Sequence, residues 1–299
     1  MQRSFWLGLI GLAVLLGLVG LGLSTTVLIP LRSIANPKPT IVQPVYQTDN
    51  GELADAISQA LGTQSDQNEP ARDSHGAIVS HHLPTALPAI GLVYRTLLYR
   101  TTPVRRLIVL GPDHRDRATH SLVTTRGLFV TPFGDFKPDL EAIDDLVRTG
   151  DLHIEDEPFQ HEHSIGVQAA IGRLAFPSAK IVPIVIRSST TPSQAEGLGQ
   201  RLGRLVDAGT IVIASVDFSH YYPERQARAL DQTSAEQIQE GTQSALRLVR
   251  SDSTQALIAL LAAMSVAHST DFSLLGVDNS SQWSGDRDWT TGYVSGVYR

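Results

Sequence analysis

The chain has no cysteine in its 299 residues. This excludes a disulfide framework, a thiol nucleophile and a thiolate metal site. It also has no excess of positive charge. Its 24 Lys and Arg against 30 Asp and Glu give a net charge of −6, and the basic residues are scattered as singles and pairs such as Arg105-Arg106. A phosphate backbone needs a concentrated basic surface, so nucleic acid is not an expected partner. The 16 Pro and 24 Gly follow no collagen period, and no repeat of fixed length is visible. What remains suits a chain with a buried core: 42% hydrophobic and 18% charged residues. At ~150 residues per domain the length suits one large or two small domains.

Charge is also missing locally. No charged residue lies between Ser4 and Leu31, and Phe5 to Ile29 is almost wholly apolar. At ~1.5 Å per residue such a run crosses a ~30 Å hydrocarbon core with some tilt. A cleavable signal peptide has an apolar region of ~7–15 residues and a small-x-small site. This run is longer, and its end, Thr26 to Pro30, offers no such site. Residues 1–31 are therefore expected to be a single-pass anchor, with 5–29 in the membrane. Arg3 before the run and Arg32 and Lys38 after it leave the positive-inside rule undecided. The short N-terminal side favours an extracytoplasmic soluble domain.

Residues 32–76 read as a tether. Pro37, Pro39 and Pro44 keep its first part extended. Leu53, Ile57 and Leu61 recur every fourth residue and predict a short amphipathic helix over 51–62. From 63 to 76 the chain is polar and aperiodic. Over 77–299 short apolar runs alternate with helical patterns. Strands are expected at 77–79, 104–110, 180–187, 210–216, 271–278 and 289–298, and a strand pair at 121–130 around Gly127. Helices are expected at 85–100, 138–149, 164–174, 193–207, 224–250 and 253–264. This alternation predicts an α/β domain: a layered αβα arrangement on a central mixed, mostly parallel sheet. The turn at Gly127 is too tight for a parallel crossover, so an antiparallel edge is expected there. In such sheets ligands bind beyond the carboxyl ends of the strands.

Several of the ten histidines fall at those ends. His81 and His82 follow the first strand, and His114 lies just beyond 104–110 in Leu-Gly-Pro-Asp-His. His161 and His163 open a helix, and His220 follows 210–216 together with Asp217. Imidazoles beside carboxylates suit a divalent metal ion and also acid–base work near neutral pH. Each has a plainer reading. His81-His82 fits a turn pair, His114 a cap, His161-x-His163 an exposed helix start, and Asp217 with His220 an N-cap. Their coincidence at element ends argues for one pocket holding His81, His114, His163, Asp217 and His220. Around an absent first-row metal their nitrogens would lie within ~4–5 Å of one another.

In order along the chain, several short motifs resemble the MEMO family, also called AmmeMemoRadiSam system protein B. They are Val45-Tyr46 with the helix Leu53–Leu61, Ile78-Val79-Ser80-His81, Leu110 to His114, Thr131 to Asp139, His161 to Gln168, and Ser215 to Tyr221. The resemblance covers roughly Val45 to Arg299. It implies a fold similar to the class III extradiol dioxygenases, whose non-haem iron is held by two His and a carboxylate. Family members bind a redox metal in the equivalent pocket through two His and a Cys. Three departures matter here. His82 stands where a small residue is usual, Gly166 replaces a Glu, and the Cys position falls near Asp252. Asp252 either replaces the thiolate or caps the helix that begins near Ser253.

The resemblance thus implies a metal set of His81, His114 and Asp252 for iron or copper, with zinc as a further option. His163, Asp217 and His220 would orient substrate or move protons. A metal-dependent, dioxygenase-like oxidoreductase is one reading. A non-catalytic module that binds a peptide or small molecule in a remnant of that pocket is the other. A serine hydrolase built on Ser215 or Ser219 ranks last, because the chain has no Gly-x-Ser-x-Gly elbow.

Overall fold

The computed structural model describes residues 40–42, 51–62 and 73–299. The membrane segment expected at 5–29 lies outside them. Among the described residues no helix is long and apolar enough to cross a membrane.

In chain order the elements are β1 (Ile41–Val42), α1 (Glu52–Gly62), β2 (Gly76–Val79), α2 (Leu87–Leu98), β3 (Arg106–Pro112), β4 (Leu122–Thr124), β5 (Leu128–Phe129), α3 (Leu140–Thr149) and β6 (His153–Ile154). A single 3-10 turn (Glu157–His161) leads into α4 (His163–Ala175), β7 (Lys180–Ile186), α5 (Pro192–Gly203), β8 (Thr210–Ser215) and β9 (His220–Tyr222). The chain closes with α6 (Glu224–Glu240), α7 (Gln243–Leu246), α8 (Thr254–Val266), β10 (Phe272–Asn279), α9 (Ser281–Ser284) and β11 (Thr290–Tyr298).

The main sheet has the order β10-β11-β2-β8-β3-β7-β4-β6, with β9 also paired to β11. Its centre, β2-β8-β3-β7, is parallel throughout. Antiparallel pairs flank it at β11·β2, β10·β11 and β4·β7. The central strands are apolar runs because both faces are covered. Ile78, Ile108, Leu110, Val182, Ile184, Val212 and Ala214 pack in one core with residues of α3, α5, α6 and α8. The alternate residues Ala77, Val79, Leu107, Val109, Ile181, Val185, Ile211 and Ile213 pack in a second core with residues of α2 and α4. This is the expected αβα layering on a mixed, mostly parallel sheet. Val42 and Ile57, from the region upstream of β2, are buried in the second core as well.

Two expectations about the elements are corrected. The segment 121–130 is not a hairpin. β4 joins β7 antiparallel and β6 parallel, while β5 pairs with β1. The reason lies in Thr125, whose hydroxyl donates to Asp156 and accepts from the Gly127 N–H. That bend carries the chain away from β4 and onto β1. The antiparallel pairing of β4 therefore comes from β7 and not from a turn at Gly127. The helix expected over 224–250 ends at Glu240, because Gly241 adopts a left-handed conformation (φ +68°) that closes a helix. A separate short α7 follows.

Candidate metal centre

The carboxyl ends of the parallel strands bring the site together. β2 ends at Val79 and delivers Ser80, His81 and His82. β3 ends at Pro112 and delivers His114. β8 ends at Ser215 and delivers Asp217. α4 starts at His163 beside the end of β3. The close approach needs Gly111: a Cβ there would lie 2.3 Å from Ser164 Oγ. Asp252 arrives from the loop before α8.

His81 is fully buried. Its Nε2 lies 3.3 Å from Asp217 Oδ2 and 3.2 Å from Asp252 Oδ2, yet it makes no hydrogen bond among the described residues. Neither oxygen lies where a ring proton would point. Asp252 Oδ2 is also 3.5 Å from His114 Nε2. The His81 and His114 rings meet edge-on at 5.0 Å, and His163 lies over His114 at 4.1 Å with an interplanar angle of 28°. His81, His114 and His163 each offer a nitrogen within 4.8 Å of the others. So do His81, Asp217 and Asp252 with one nitrogen and two carboxylate oxygens. A buried ring nitrogen without a hydrogen bond, between two carboxylates, is a donor set that fits a divalent cation of the first row.

The ring charges follow from these contacts. Burial pushes the His81 ring down, but Asp217 and then Asp252 outweigh it and hold the ring above its ordinary value. Burial also lowers His114, whereas the nearby Asp252 carboxylate and the hydrogen-bonded Glu162 raise it to about 10. His163 is pushed down to about 4 by burial and by the charges of His81 and His114. Burial opposes ionisation of Asp252, yet His114 and His81 hold its carboxyl below the usual range.

Five of the six residues singled out in the sequence thus meet: His81, His114, His163, Asp217 and Asp252. Asp252 is not a helix cap. Ser253 caps α8, accepting from the Ala256 N–H at 3.2 Å, so the Asp252 carboxylate faces the rings and the Asp217 N–H instead. His220 stands apart. Its Nδ1 binds Phe218 O at 2.6 Å, and its charge acts on His82 and Asp231. His161 is exposed in the 3-10 turn. His82 turns aside to the Tyr293 hydroxyl, 2.9 Å from its Nδ1.

Other members of the site were not singled out in the sequence. Glu162 is 1% exposed. It accepts from His114 Nδ1 at 2.7 Å, from the His114 N–H at 3.0 Å, and from the Ser164 N–H at 2.9 Å as the N-cap of α4. It therefore fixes the His114 proton on Nδ1 and turns Nε2 to the centre. Ser80 donates to Asp217 Oδ1, which also accepts the His81 N–H at 3.3 Å. The available signal was a polar residue ending a fully buried strand, as in Gly-Ala-Ile-Val-Ser80, and a Glu held between two histidines.

The family described as Memo-like protein matches residues 38–297. A MEMO1 family protein of Sulfolobus acidocaldarius is 30% identical over 216 residues, covering 67% of this chain and 75% of that protein. A MEMO1 family protein of Methanopyrus kandleri is 27% identical over 280 residues, covering 87% and 98%. The crystal structure of an uncharacterized protein from Escherichia coli K12 superposes with a TM-score of 0.49 at 16% identity, over 75% of this chain and 99% of that one.

Proposed function

The chain belongs to the Memo-like protein family, and from that premise we propose that it is a metal-dependent oxidoreductase of the dioxygenase-like kind. His81, His114 and Asp252 would hold one divalent ion, iron or copper before zinc. The observation that carries this reading is the buried His81 Nε2, which faces Asp217 and Asp252 at 3.3 and 3.2 Å without a hydrogen bond. Two imidazoles and one carboxylate leave coordination positions open to substrate. The hard carboxylate shifts preference from Cu⁺ toward Fe²⁺ or Zn²⁺.

When bound, a redox-active ion would supply one-electron chemistry and Lewis acidity at its open face. The chain's own residues do the rest. Glu162 orients His114, and Asp217 holds the His81 backbone through its Oδ1. His163 is the most open of the three rings, so a substrate entering the pocket meets it first and exchanges a proton with it. His220, which stands apart from the cluster with its Nδ1 on Phe218 O, would take part in proton movement only farther from the rings.

The test is metal content of the chain purified without added metal, with oxygen uptake measured on catechol-like substrates. One bound ion, lost in both His114→Ala and Asp252→Ala, together with oxygen uptake, supports the reading. Unchanged stoichiometry in His114→Ala defeats it. A second reading, a non-catalytic pocket for a peptide or small ligand, draws on the absence of any cysteine in the chain. It predicts metal or ligand binding without oxygen uptake. Attachment to a membrane through residues 5–29 is a separate proposal, refuted by release of the intact chain in carbonate extraction.

A further inference from the structure

Behind His81 lies a set of buried hydrogen bonds whose donors and acceptors can be fully assigned. Gln168, on α4, is 0% exposed. Its Nε2 is 2.8 Å from Ser80 O and 3.1 Å from Ser215 Oγ, and its Oε1 is 2.9 Å from the Tyr94 hydroxyl. A backbone carbonyl can only accept. The amide end of Gln168 must therefore face Ser80 O, since the flipped side chain would set two acceptors 2.8 Å apart. The amide then donates to Ser215 Oγ as well. The single Ser215 proton goes to Ser164 O at 2.7 Å, again an acceptor only. Ser215 Oγ has thus spent its donor, and its third neighbour, His81 Nδ1 at 3.3 Å, must donate to it.

We infer that Gln168, acting through Ser215, is a positioning residue that holds the His81 proton on Nδ1 and so turns the Nε2 lone pair toward Asp217 and Asp252. The polarity cannot reverse, because it is pinned at both ends by carbonyl oxygens, those of Ser80 and Ser164. Glu162 performs the same task for His114 with a charge. For His81 the task falls to neutral groups, which leaves the pocket with one negative charge fewer. The inference rests on the reading of the histidine cluster as a cation site.

The experiment uses the full chain with ¹⁵N-labelled histidine and Zn²⁺ as a diamagnetic probe. The His81 ring is assigned from its loss in His81→Asn, and zinc affinity is measured for the wild type, Gln168→Met and Ser215→Ala. In the zinc-loaded wild type, His81 is expected to bind through Nε2 and to keep a slowly exchanging proton on Nδ1. Each variant is expected to lose that proton signal and to bind zinc about 10–100-fold more weakly. Coordination through Nδ1 in the wild type would overturn the inference, as would unchanged ring signals and affinity in a folded Gln168→Met. Ser215→Ala removes a single hydroxyl and serves if Gln168→Met does not fold. If the wild type binds no zinc, the cation reading fails. The inference is then decided on the metal-free ring: an Nδ1–H signal present in the wild type and lost in the variants sustains it, and its absence from the wild type overturns it.

Discussion

Asp217 and Asp252, 35 residues apart, hold each other in both directions. The Asp252 N–H donates to Asp217 O at 3.0 Å, and the Asp217 N–H donates to both oxygens of the Asp252 carboxylate at 3.2 Å. This reciprocal clasp ties the loop after β8 to the loop before α8, and it brings two acids to one buried imidazole. The clasp separates the structural from the chemical part of Asp252. Asp252→Asn keeps an acceptor for the Asp217 N–H but removes the charge. Asp252→Ala removes both, and a buried N–H left unpaired costs about 1–3 kcal/mol. Zinc affinity is expected to fall at least about tenfold in both variants. Only Asp252→Ala should also lower the unfolding free energy measured in chelator at low pH, where the carboxylate's charge no longer contributes. Equal metal affinity in Asp252→Asn and wild type would remove Asp252 from the site.

Glu162 joins two tasks in one carboxylate, capping α4 and orienting His114. Glu162→Gln retains one acceptor and loses the charge-assisted bond. Metal affinity is expected to drop about 10–100-fold. Loss of the cap interaction is expected to cost about 1 kcal/mol in the metal-free chain, read from denaturant unfolding. A variant that binds metal as the wild type does would show that His114 needs no partner at Nδ1.

Much of this geometry was legible because strand ends announce themselves. An apolar run that stops at a polar residue places that residue at the sheet edge, which is how His81 and His114 were found. Asp252 was ambiguous because Asp and Ser are both good caps, and only the folded loop shows Ser253 taking that place. The roles of Glu162, Ser80 and Gln168, and of Ser215 as a hydrogen-bond partner and not a nucleophile, are illegible in the sequence for a different reason. Their role is set by hydrogen bonds between segments up to 137 residues apart, and no local pattern encodes such a partner. The segment 121–130 misled because two short β-prone runs around a glycine look like a hairpin, whereas β1, from far upstream, supplies the real partner of β5.

The rings make stability depend on pH in a definite direction. His114 is raised from its ordinary 6.5 to about 10 by Asp252 and Glu162 against the effect of burial. A base raised on folding contributes stability that is full below 6.5 and is lost as the pH climbs to about 10. The same contact seen from Asp252, a lowered acid, contributes above 3.8 and is lost as the pH falls below that. The metal-free chain is therefore expected to unfold more easily at pH 10 than at pH 6.5. The zinc-loaded chain, whose ring nitrogen carries the ion in place of the proton, should lose less. Denaturant midpoints in chelator and in zinc across this range test it, and a flat profile in chelator counts against the ion pair.

Asp231, on α6 and outside the metal site, is an acid shifted in the direction opposite to Asp252. It is 0% exposed and accepts from the Ser219 N–H and hydroxyl, both at 2.9 Å. Burial pushes its carboxyl up to about 6, against the bonds from Ser219 and the charge of His220. An acid raised on folding prefers to stay neutral, so its contribution is full below 3.8 and is lost as the pH rises to about 6. In Asp231→Asn the amide oxygen still accepts the Ser219 N–H, and the new amide N–H donates to the Ser219 hydroxyl oxygen, so both contacts survive without a buried charge. The variant is expected to gain up to about 3 kcal/mol relative to wild type above pH 6 and to lack the wild type's decline between pH 4 and 6. Urea unfolding at pH 4, 5, 6 and 7 reads both effects. If wild type and variant run parallel across that range, Asp231 ionises as freely in the folded chain as in the unfolded one, and the ionised carboxylate must then draw on more than the two Ser219 bonds to offset its burial.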